Sequence, residues 1–232
     1  MQSIHFAVAF LGALIPALFW LWFWLREDKE RPEPYSLIAL AFISGMIVVP
    51  LALPLQKWAL GLFQDFNLIF VWVVIEESLK YAVALALVLW HKDVDEPIDL
   101  IIYMITVALG FAALENALFM FNPLVAGDLT NSIITGNFRF LGATLLHVLA
   151  SGTVGAFLAL SFYKSNTVKL LAGIFGLCIA IVLHALFNFF IIDASGEAIL
   201  GVFLFVWMGI ILLFLIFEKV KIIEAQHQSN HS

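Results

Sequence analysis

Seven apolar stretches, each long enough to cross a bilayer, leave this chain little choice of architecture. They cover residues 4–25, 35–53, 66–90, 98–121, 138–162, 168–192 and 198–217. A helix of about 20 apolar residues spans the hydrocarbon. Composition agrees, with 63% hydrophobic and 12% charged residues and a mean hydropathy of +1.06, against about 25% charged in soluble domains. The expectation is an all-α polytopic membrane protein, a bundle of about seven helices. The helical domain takes residues 1–223, and residues 224–232, with His227 and His231, form a polar tail expected to be disordered. Short loops make consecutive helices antiparallel neighbours.

The net charge of −6 is spread over these loops, with no basic face for nucleic acid. Cys178 is the single cysteine, so no intramolecular disulfide forms. The first residues, Met1 to His5, lack the basic region of a cleaved signal peptide, so the first helix is expected to be retained. Arg26, Lys29, Arg31, Lys92, Lys164, Lys169, Lys219 and Lys221 fall in alternate loops on one side, against Lys57 and Arg139 on the other. That bias places the N-terminus outside and the C-terminus in the cytoplasm.

Trp20, Trp22 and Trp24 read as interfacial anchors ahead of the charged loop at residues 26–34. Pro50 and Pro54 kink or end the second helix. Residues 55–65 then read either as a short amphipathic helix on the outer surface or as an ordinary loop. Residues 122–137 form the longest outer loop, a lid or a plain connector.

Charge inside the apolar stretches is the chemical signal. Glu76 and Glu77 lie in the middle of the third, where one charge costs roughly 2.5–3.5 kcal/mol on insertion scales. Lys80 shares a helix face with Glu76, but one lysine cannot neutralise two glutamates. Glu115, His147 and His184 lie deep in the fourth, fifth and sixth stretches. Counted from the outer end of each, Glu76, Glu115, His147 and His184 all sit about 9–15 Å down at 1.5 Å per residue. Ser151 and Asn188 lie one turn from the two histidines and could fix their tautomers. With both histidines neutral, the three glutamates and Lys80 leave about −2 in a region of low dielectric. A divalent ion such as Zn²⁺, or protons retained on glutamates, would relieve it.

Glutamate with histidine is a water-activating inventory. No His-Glu-x-x-His motif and no pair of intramembrane aspartates is present. Ser151 facing His184 would be a serine alternative, and Cys178 points to another face. A proton- or ion-coupled transporter also uses buried Glu and His, although no inverted repeat supports it. A scaffold whose polar groups only join helices is the third reading.

The set Glu76-Glu77-x-x-Lys80, Phe111-Ala-x-x-Glu115-Asn116, His147 and His184-x-x-x-Asn188 resembles the PrsW family of bacterial intramembrane proteases. That family is distantly similar to the CAAX-prenyl-protease and bacteriocin-processing superfamily, which also pairs glutamates with later histidines. The resemblance covers the third to sixth helices. It implies cleavage of a membrane-anchored substrate, such as an anti-sigma factor, in a bacterial cytoplasmic membrane. The family is classed as metalloproteases, while the wider superfamily admits a metal-free glutamate mechanism. On this basis Glu76 or Glu77 activates water, while Glu115, His147 and His184 hold a metal or stabilise the oxyanion. Lys80, Asn116 and Asn188 support them.

Overall fold

The computed structural model describes residues 2–27, 31–193 and 197–229, and these are helical with no strand among them. In chain order the helices are α1 (Gln2–Leu25), α2 (Tyr35–Leu60), α3 (Asp65–Leu87), α4 (Pro97–Val125) and α5 (Leu129–Phe138). A π-helical turn (Arg139–Ala143) leads into α6 (Thr144–Leu160), followed by α7 (Asn166–Asp193) and α8 (Glu197–Ser229). Six spans are long and apolar enough to cross a membrane: α1, α2, α4, the continuous Leu129–Leu160 unit, α7 and α8. The remaining expected span is α3, whose charged middle lowers its hydropathy. The chain is an integral, multi-pass, all-α membrane protein.

α4 is the axis of the bundle, buried along almost its whole length. It packs against α1, α2 and α6, while α3, α7 and α8 close the outside. Two glycines allow α2 to reach it. A Cβ on Gly45 would lie 2.0 Å from the Val107 carbonyl oxygen, and one on Gly110 would lie 1.9 Å from that of Phe42. The helix backbones are therefore in contact, as small residues permit inside membranes. Pro97 opens α4 inside a reciprocal capping box of Glu96 and Asp99. Arg31 pairs with Glu96 and Tyr103 donates to Glu33, tying the first loop to this helix start.

Several local expectations change. Pro50 and Pro54 do not end α2, which continues to Leu60, so residues 55–60 are its last turns rather than a separate surface helix. Proline is tolerated here because neighbouring groups re-satisfy the freed backbone, and only a short turn precedes α3. The stretch at residues 122–137 is mostly helical: α4 continues through Pro123 to Val125, and α5 starts at an Asp128 cap. Trp24 is not an interfacial anchor. It is buried against α8, stacked on Phe214 with ring centroids 4.5 Å apart, and Trp20 is buried too. Trp22 does remain exposed, beneath Arg26. α8 continues as helix from Glu224 to Ser229, where the polar tail was expected, and His227 stacks on Tyr163. Lys29 and His231 lie outside the described residues.

Glu27 and Lys221, Arg31 and Glu96, and Tyr163 and His227 gather at one end of the bundle. From the lysine and arginine bias, a green fluorescent protein fused at the C-terminus should fluoresce in a bacterial host, and alkaline phosphatase fused there should be inactive. The opposite pair of results would reverse the orientation. Packing gives a second prediction. Gly110→Val should destabilise the fold by about 3 kcal/mol or more in detergent unfolding, because backbone must move. Gly201→Ala, with nothing within 4 Å of its added methyl, should cost nothing.

Candidate active site

Glu76 and Glu77 lie on one turn of α3 and Lys80 on the next, and all three are buried. A buried carboxylate needs donors, and Glu77 collects them. Its Oε1 accepts from Lys80 Nζ at 2.5 Å and from His184 Nδ1 at 2.7 Å, and its Oε2 accepts weakly from Ser151 Oγ at 3.5 Å. An ionised carboxylate only accepts, so Nδ1 of His184 carries the proton and Nε2 keeps its lone pair. That lone pair faces Glu76 Oε2 across 3.8 Å. Glu76 Oε2 is itself buried without a hydrogen-bond partner among the described residues, while Oε1 accepts from Gln56 Nε2 at 2.7 Å.

His147 of α6 meets His184 edge to face, with centroids 4.9 Å apart. Its Nδ1 lies 3.1 Å from Lys80 Nζ, and its Nε2 lies 3.1 Å from Glu115 Oε2. Lys80 also sits 4.6 Å above the Phe111 ring, so its ammonium is enclosed by a carboxylate, an imidazole and an aromatic face. Arg139 donates to Glu115 Oε2 and, through Nε at 2.5 Å, to Asn116 Oδ1. Asn116 in turn donates to Thr144 Oγ1 at 2.9 Å. The π turn aims the guanidinium inward, across the Phe119 ring. Such turns recur at functional sites.

These groups line a cavity of about 430 Å³. Glu76, Glu115, Arg139, His147, His184 and Asn188 form its polar wall; Trp72, Phe119, Phe138, Phe187 and Phe203 are among its apolar residues. Glu77 and Lys80 stand behind that wall rather than on it. The four helices expected to converge do so. One donor atom each from Glu76, His147 and His184 lie within 4.8 Å of one another, a set that could hold a metal ion. Glu115 is not in that set; its Oε2 is shared by Arg139 and His147. His184 takes its tautomer from Glu77 rather than from Asn188, which makes no hydrogen bond among the described residues. Ser151 is fully buried and serves Glu77, so it has no route to a substrate. Cys178 is exposed, away from the cavity.

Sequence reasoning missed Arg139, Gln56 and Trp72, whose Nε1 donates to the Gln56 carbonyl at 3.1 Å. Arg139 reads as an outer-loop charge until α5 is seen to be helical. It then lies about ten residues inside a continuous helical unit.

Comparison with known proteins places the chain in a family. The chain is 27% identical to the protease PrsW of Clostridioides difficile, over 96% of its own length and 92% of the relative's. It is 25% identical to that of Bacillus subtilis, over 82% and 85%. No solved structure matches. The model of the PrsW family intramembrane metalloproteases matches residues 33–216, which include every side chain of the polar wall. With that match spanning most of its length, the chain belongs to the PrsW family of intramembrane metalloproteases.

Proposed function

We propose that this endopeptidase hydrolyses a membrane-anchored protein, of the single-pass anti-sigma-factor type, with a Zn²⁺ ion held by Glu76, His147 and His184. The observation that carries this reading is the facing pair of unused acceptors, Glu76 Oε2 and His184 Nε2, in a buried polar wall. Carboxylate oxygen and imidazole nitrogen are ordinary zinc donors, and three protein ligands with an open position mark catalytic sites. When bound, such an ion polarises the scissile carbonyl and lowers the pKa of a water.

The chain's own residues do the remaining work. Glu77 holds the Nδ1 proton of His184 and so keeps Nε2 available, the outer-shell role of a carboxylate behind a histidine. Lys80 sets a cation 2.5 Å from Glu77. Glu115 takes the proton of the attacking water and returns it to the leaving amine, so that water is added across one C–N bond. Arg139 holds Glu115 in place for this. Arg139 also lowers the site charge to about −1 with both histidines neutral, an imbalance that a divalent cation, or one proton on Glu76, would absorb. The phenylalanine-lined wall receives the apolar side chains of a substrate segment drawn from the bilayer. A transporter reading finds no support in a cavity whose relatives are named proteases.

Cleavage of a single-pass anti-sigma-factor-type substrate in proteoliposomes tests the roles. Glu76→Gln, Glu115→Gln, His147→Ala and His184→Ala should each lower kcat/KM by about 10³-fold or more. Glu77→Gln should lose about 10–100-fold, and Cys178→Ala should lose nothing. A chelator should abolish cleavage and added Zn²⁺ restore it. Full activity in chelator would remove the metal and leave Glu76 as the general base.

A further inference from the structure

We propose that Gln56 is a positioning residue for Glu76, an outer part of the site supplied by α2. This inference rests on the metal-holding reading above. The two glutamates of α3 are adjacent in sequence and buried to a similar degree, yet they are partnered differently. Glu77 faces a cation, Lys80, at 2.5 Å. Glu76 faces a neutral amide, Gln56 Nε2, at 2.7 Å. A cation against a carboxylate cancels its charge and makes it structural. An amide donor fixes a carboxylate without cancelling it, which leaves the charge for an ion in the cavity.

The geometry of the carboxylate supports this. The terminal torsion of a glutamate is broad, so an unrestrained carboxyl rotates freely. Gln56 pins Oε1, and Oε2 is thereby presented, unpartnered, toward His184 Nε2. Gln56 is itself held from the same helix. Trp72, one turn before Glu76 on α3, donates its indole N–H to the Gln56 carbonyl at 3.1 Å. The flanking Lys57 and Trp58 are exposed, whereas Gln56 is partly buried against α3. Gln56 does not line the cavity, so it acts through Glu76 rather than on substrate. The continuation of α2 past Pro50 and Pro54 is what delivers it.

Zn²⁺ titrated against a chelating dye into the full chain in nanodiscs provides the test. Gln56→Met keeps the side-chain volume and removes the donor. Zinc affinity should fall about 10–100-fold, the usual cost of losing an outer-shell partner. Cleavage should be lost at limiting zinc and restored at saturating zinc, with metal-free thermal unfolding unchanged. Should that variant fail to fold, Gln56→Asn, whose amide is too short to reach, should show the same loss. Parental zinc affinity in the Gln56 variant, with affinity lost in Glu76→Gln, would overturn the proposal alone. Parental affinity in Glu76→Gln as well would refute the metal reading, and this proposal would fall with it.

Discussion

A lysine and a glutamate with almost no solvent exposure, Lys80 and Glu77, form the contact on which the rest of the site depends. Removing one partner of a buried ion pair costs roughly 3–5 kcal/mol, because the other charge is left uncompensated. Within hydrocarbon there is no water to help. The pair is therefore surrounded by helices: α3 supplies both charges, α6 and α7 supply imidazoles, and α4 supplies Phe111. Their arrangement follows from a close-packed α4, which glycines let α2 approach to backbone contact.

The site then has two layers with different work. Behind lie Glu77, Lys80 and Ser151, closed off and mutually satisfied. In front lie Glu76, His147, His184 and Glu115, each with an atom on the cavity. The back layer fixes proton positions, most directly the Nδ1 proton of His184. The front layer leaves Glu76 Oε2 unspent among the described residues, and a buried unspent acceptor is costly unless something binds it. Arg139 and Gln56 complete the front from outside α3 by holding Glu115 and Glu76 respectively.

Much of this was legible in the sequence, for a physical reason. Charges in apolar helices are so expensive that matched depth implied convergence, and Glu76, Glu115, His147 and His184 do converge. The partners were harder to read. Gln56 hides beyond two prolines that would end a helix in water but not in a packed membrane bundle. Arg139 hides at the outer end of the fifth apolar stretch, just after residues rich in Asn, Gly and Thr that look like a loop and are mostly helical. Without Arg139 the site counts one charge too negative. In the proposed reading the guanidinium occupies Glu115, and Glu76 takes its place as the metal ligand.

That exchange is the central claim, and metal content decides it. Zinc should be measured by elemental analysis on purified, active protein and on the Glu76→Gln and Glu115→Gln variants prepared identically. The account predicts one zinc per chain in the parent and in Glu115→Gln, and its loss in Glu76→Gln. Zinc retained by Glu76→Gln but lost by Glu115→Gln would contradict the assignment, and a fully active parent without stoichiometric metal would contradict the metal itself.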